Sequence, residues 1–136
     1  MANRDMMNDV LTKRWSDTDA PAGGAAVSVS SNTNLGEQDL HANARQNLET
    51  LIYSISNRVG AGGAAATVTV SVRHATPAGT VMASMDHLIG ASSVVNVAMT
   101  NLMFQGKRGK AIRVTMDTVV ASLGQKVSIS GWTEDD

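Results

Sequence analysis

The run Thr-Val-Thr-Val-Ser-Val-Arg at 67–73 puts Val68, Val70 and Val72 on one side of an extended chain, with Thr67, Thr69, Ser71 and Arg73 on the other. Side chains of a strand point alternately to its two faces, so this is a half-buried strand. The same alternation returns in Ile112, Val114 and Met116 against Arg113, Thr115 and Asp117, and in Val127 and Ile129 against Lys126, Ser128 and Ser130. Further strands are predicted at 80–85 and 94–104, and the last two runs extend to 112–119 and 126–134, all separated by turns rich in Gly, Asn, Asp or Lys. Short strands at this regular spacing predict an all-β fold, an antiparallel sandwich or barrel with one side of each strand wet.

Two stretches break the pattern. In 94–104, Val95, Val97, Met99 and Met103 face one way and Val94, Ala98, Leu102 and Phe104 the other, so the strand is apolar on both faces. It is either central and covered twice, or it lends its outer face to an interface. Between 37 and 59, Leu40, Ala44, Leu48, Leu51, Ile55 and Val59 suit a helix, whereas 50–56 alternates and carries β-branched residues. A helical turn followed by a strand is the expectation there.

The N-terminal region differs again. Residues 1–15 allow a short helix capped by Asn3 or Asp5, with Met7, Val10, Leu11, Arg14 and Trp15 recurring at three- and four-residue spacing. Residues 16–26, Ser-Asp-Thr-Asp-Ala-Pro-Ala-Gly-Gly-Ala-Ala, offer no buried face and read as a linker or extended arm. The expected organisation is an extended, partly helical N-terminal arm over 1–26 and one β domain over 27–136. A chain of 136 residues is too short for two well-buried cores.

Composition removes several classes of function. The net charge of −1 gives no global attraction to phosphate, so nucleic acid is disfavoured as a partner. Without cysteine there are neither disulfides nor thiolate metal ligands. No apolar run reaches the ~20 residues of a membrane span, and the N-terminus lacks the apolar centre of a signal peptide, so a soluble, unexported chain is expected. Aromatic residues make up 3% against 43% hydrophobic, so the core is aliphatic and Met-rich and gains from a partner surface.

Searches for chemistry yield little. Gly60-Ala61-Gly62-Gly63-Ala64-Ala65 imitates a dinucleotide fingerprint but precedes a strand, where a phosphate cradle needs a helix N-terminus. His41, His74 and His87 are far apart and fall in no metal-binding spacing. Asp86-His87 has nearby Ser84, Ser92 and Ser93 but no nucleophile elbow. The expectation is a protein without catalytic residues, cofactor, metal or small-molecule substrate, and not an enzyme.

Two groups suggest contact instead. Lys107, Arg108, Lys110 and Arg113 form the one basic cluster, either a grip for phosphate or an acidic surface or, more simply, a solvated hairpin tip guarding strand edges. Trp15 and Trp132 lie towards the chain ends, outside the densest core pattern, and with Met7, Val10 and Leu11 are candidate interface anchors. For Trp132 a core position is the equal alternative, reached if a bulge at Gly131 turns the ring inward. Trp15 is cut off from the strands by the linker, so docking is favoured for it.

The arm over 1–26, the strands TVTVSVR, VVNVAMTNLMF, IRVTMDTV and KVSISGW, and the acidic end WTEDD together resemble the cement, or decoration, proteins of tailed bacteriophage heads. The closest resemblance is to jelly-roll cement proteins of short-tailed phages such as a Bordetella phage, over the whole layout but without a signature motif. It implies a jelly-roll-like β-sandwich that binds the outside of a capsid lattice and bridges neighbouring major capsid protein subunits. It further implies a homodimer on the virion exterior, made in the host cytoplasm, with no reaction. The alternatives are a small β-barrel for single-stranded nucleic acid, short of stacking rings with only Tyr53 and Phe104 in the sheet region, and a structural component of a phage tail. Carbohydrate binding is disfavoured by the same shortage of rings.

Overall fold

The computed structural model describes residues 14–21, 26–31, 44–58, 64–75, 79–116 and 123–134. Among them the chain forms nine strands: β1 (Arg14–Asp19), β2 (Val27–Ser30), β3 (Arg45–Asn57), β4 (Ala66–His74), β5 (Val81–Ile89), β6 (Val94–Met99), β7 (Phe104–Gln105), β8 (Ile112–Met116) and β9 (Leu123–Glu134). The first sheet runs β1-β9-β3-β6, with β7 also on β3, and the second runs β2-β8-β4-β5. Every pairing is antiparallel. The chain changes sheet at each connection except β4 to β5 and β6 to β7. The result is a β-sandwich with β1 and β2 along one side and β5 and β6 along the other.

The alternation that predicted the strands also sets the core. Val68 and Val70 of β4, Ile112, Val114 and Met116 of β8, and Val127 and Ile129 of β9 all face inward and are buried. The outer sides are less wet than alternation alone implies. Ser71 and Thr115, paired across β4 and β8, are buried on the outer face of the second sheet. Arg73 lies over them, donating from Nε to Thr115 Oγ1 at 3.2 Å. Arg113 donates from Nε to the Ala75 carbonyl at 3.0 Å and from Nη1 to Ser28 Oγ at 2.6 Å. Their stems cover the sheet while the heads find partners, as long cationic side chains commonly do.

Three expectations change. The ambiguous 37–59 stretch contains one strand from Arg45 to Asn57, and 37–43 lies outside the described residues. The helix-like spacing has a β origin: the register of β3 against β9 shifts between Leu48 and Thr50, so Glu49 is an extra residue. A bulge of this kind reverses the parity of the strand. Gln46 and Leu48 face inward before it and Leu51, Tyr53 and Ile55 after it, and the step from 48 to 51 imitates a helix.

The run 94–104 is not a central strand. It is two edge pieces, β6 and β7, which pair with different halves of β3. They are divided at Asn101, whose φ of 56° ends the extended run, and Leu102 donates its N–H to the Glu49 carbonyl at 2.9 Å. Residues 14–19, expected within an arm and linker, are instead β1, paired along its whole length with β9. Alternation there was masked because Ser16, Asp17, Thr18 and Asp19 are all polar.

Candidate interaction surfaces

Of the residues expected to anchor a partner, Met7, Val10 and Leu11 lie outside the described residues. Trp15 does not present a docking surface: it is 3% exposed and belongs to the core. Its neighbour across the ladder is Gly131. A Cβ on that glycine would collide with the Asn47 carbonyl oxygen and stand 2.6 Å from the Trp15 ring, so the bare glycine is what lets the indole lie across β9. The glycine expected to turn Trp132 inward thus serves Trp15, and Trp132 sits half-buried on the outer face of the first sheet.

The basic cluster divides. Lys107, Arg108 and Lys110 stand exposed on the turn joining β7 to β8. Lys110 N–H bonds the Lys107 carbonyl at 3.1 Å, and Gly109 takes φ 71°. Arg113 is separate, held on the second sheet's outer face as above. Behind the turn, His74 is held below its ordinary value near 6.5 by burial and by the nearby Lys107 and Lys110 ammonium groups. Both causes favour the neutral ring.

The middle of the first sheet's outer face is poor in charge, while Arg14 and Glu49 pair towards one end of it. Across the ladder the outward residues form rows Thr18-Ser128-Ile52-Ala98 and Lys126-Ser54-Asn96. Small side chains leave a depression of about 320 Å³ between Ile52, Ser54, Asn96, Ala98 and Ser128. Ile52 is 44% exposed in it and Val94, on the same face, 60%. Lys126 is the charge in these two rows.

The two long sides of the sandwich are built differently. Along β1 and β2, Asp17 and Asp19 point inward from the edge strand and accept the Ser30 and Ser28 backbone N–H groups at 2.9 and 3.1 Å. These carboxylates occupy the edge of the second sheet and tie the two layers together. Along β5 and β6 no carboxylate clasp of this kind occurs among the described residues, and the layers are tied at one end, where Asn57 Nδ2 donates to the Ile89 carbonyl at 3.2 Å. Between the layers there, Leu48, Leu51, Met85, Met99, Leu102 and Phe104 line an apolar groove of about 230 Å³.

A second polar link near the open side is between Tyr53 of β3 and His87 of β5, with the hydroxyl 2.5 Å from Nε2 and the rings edge to face at 5.4 Å. Burial raises the Tyr53 hydroxyl above 10. Asp86 turns to the opposite face of β5 and accepts from Thr69 Oγ1 at 2.7 Å, so Asp86 and His87 form no relay. Among the described residues no group of three His, Cys, Asp or Glu is placed to hold a metal, and no helix is long and apolar enough to cross a membrane.

Sequence reasoning overlooked the open side, although a signal was present. Between Arg73 and Lys107, residues 74–106 contain one formally charged residue, Asp86, whereas the whole chain carries 23. Val81 at 44%, Leu88 at 73% and Met103 at 96% are the large apolar residues most exposed in that segment besides Val94.

No family model and no curated protein sequence matches the chain. Solved structures of similar layout include the Tobacco streak virus coat protein (7% identity, TM-score 0.39, 88% of this chain and 86% of that chain). They also include a Turnip yellow mosaic virus empty-head structure (14%, 0.42, 90% and 79%) and a Bacillus endospore appendage protein (13%, 0.36, 89% and 88%). At such scores these likenesses leave the function to be argued from the chain's own surfaces.

Proposed function

We propose that the protein is a structural capsid cement, or decoration, protein of a tailed bacteriophage. It binds the outer surface of the capsid lattice in the virion, bridges neighbouring major capsid protein subunits, works as a homodimer and catalyses nothing. The observation that carries the reading is the middle of the first sheet's outer face, a shallow depression among small side chains beside exposed Ile52 and Val94, with Lys126 at its rim and the charged Arg14, Glu49, Arg45 and Glu134 gathered towards one end of the face. Such a patch approaches another protein closely with Lys126 as the one charge at the depression to be desolvated or paired. The strand order supports it: two four-stranded layers, with β7 added at one edge, joined by crossings at nearly every connection form a jelly roll, an architecture that viral capsid and lectin domains share.

The test is co-sedimentation of the purified protein with capsid shells that lack it. Saturable pelleting that Ile52→Lys weakens at least tenfold, and that physiological salt leaves unchanged, is the expected result. A chain beginning at Arg14, which keeps β1, measures what residues 1–13 add. Absence of pelleting by the full chain overturns the reading, and pelleting that collapses with salt points to the Lys107, Arg108 and Lys110 turn instead.

A further inference from the structure

We infer that the open side of the sandwich, formed by the β5 and β6 edges and the groove between them, is where two copies of this chain join. The inference rests on the pairing proposed above and names its surface.

Three observations carry it. First, among the described residues no strand pairs with the outer side of β5 or of β6. Exposed strand edges are templates for further pairing, and proteins usually guard them with lysines, prolines or a cover. Here β5 and β6 carry Asp86 as their one formal charge, and Asp86 is occupied by Thr69. Second, the edges flank an apolar groove large enough for side chains, since an enclosed apolar cavity of ~150 Å³ already holds a benzene-sized group. Met85, at 37% exposure, stands on β5 among the residues that line it. Third, the opposite side closes the same gap from within by the Asp17 and Asp19 clasp, whereas among the described residues β5 is held in this way only at its Ile89 end, by Asn57, and the stretch around Met85 is left without a clasp.

The chemistry selects the occupant. An uncharged surface offers nothing to steer or register a partner of opposite charge, but it meets a second copy of itself without repulsion. Pairing β5 with β5 of another copy about a two-fold axis centred on Met85 sets Asp86 against Ser84 and Leu88 against Met82, with no like charges opposed. It joins the second sheets of two copies into one continuous sheet and covers both grooves. Nine residues at ~3.4 Å each make a strip ~31 Å long, and two layers ~10 Å apart with ~5 Å of outward side chain on each make it ~20 Å wide, roughly 600 Å² before surface relief is counted. That approaches the ~800 Å² per partner of a stable interface.

Two measurements on the full-length protein, with no shell present, test this apart from lattice binding. Sedimentation equilibrium is expected to give twice the 14.2 kDa chain mass for the wild type. Val81→Lys/Leu88→Lys should be monomeric with an unchanged far-ultraviolet spectrum, and Ile52→Lys should remain paired. Backbone hydrogen exchange of the wild type at high and low protein concentration should show concentration-dependent protection confined to 81–99. A monomeric wild type, a double-lysine protein that stays paired, or protection that maps to another strand overturns the inference. Exchange needs no variant, so misfolding of the double mutant leaves the outcome decisive.

Discussion

The β1/β2 side and the β5/β6 side of the sandwich face the same problem, two unpaired strand edges over a hydrophobic interior, and answer it in opposite ways. On the first, an edge strand turns acidic side chains inward and satisfies the opposite sheet's N–H groups, while Trp15 fills the space above Gly131. On the second, the edge residues apart from Asp86, His87 and Asn96 are apolar or small, and among the described residues the groove stays open. The difference teaches that a sandwich can spend its few charges on internal closure at one side and leave the other for association. Charge here follows topology more closely than it follows overall composition.

If that contrast holds, substitutions on the closed side act on folding and those on the open side act on assembly. The largest effect is expected from Trp15→Ala, a loss of about 3 to 5 kcal/mol of stability, since the ring is buried with little room for collapse. Chemical denaturation reads it directly. A near-normal midpoint would return Trp15 to the role of an anchor and break the comparison. Next, Asp17→Ala and Asp19→Ala should each cost about 1.5 kcal/mol by leaving a β2 N–H without its charged acceptor. Faster hydrogen exchange at Ser28 and Ser30 would localise that cost to the clasp.

A smaller effect concerns pH. His74 has its folded value depressed below about 6.5, so its contribution is fully present above that pH. Stability should fall as the pH drops below 6.5, because the unfolded chain takes up the proton first. His74→Gln should flatten that part of the curve of melting temperature against pH, and an unaltered slope would assign it to other groups. The smallest effect on folding belongs to the open side: Leu88→Lys, at a 73% exposed position, should change stability by about 0.5 kcal/mol or less. A large loss there would mean that folding depends on β5 as heavily as on β1.

Much of the layout was legible because alternation is a strong signal wherever one face is apolar, as in β4, β8 and β9. It failed at β1, where the inward positions after Trp15 are Asp17 and Asp19, since burial by hydrogen bonding to a neighbouring edge leaves no apolar trace. It misled in β3, where the bulge at Glu49 produced a helical spacing. The candidate surfaces were less legible still. Ile52 shares the Thr50, Ser54 and Ser56 side of the alternation, yet nothing in the sequence shows that it stands beside Ala98 and Val94 of another strand, and the charge gap over 74–106 gains meaning only when those residues prove to share one side of the sandwich.

The Glu49 bulge makes chain length itself informative. Upstream of it β3 is read in one frame, against β7, and downstream in the other, against β6. Deleting this one residue would merge the frames and turn the strand's first four residues inside out, carrying Arg45 and Asn47 inward and Gln46 and Leu48 to the surface. Drift by point substitution is open along most of β3, but drift by a single-residue insertion or deletion near position 49 is closed unless a second, compensating length change accompanies it.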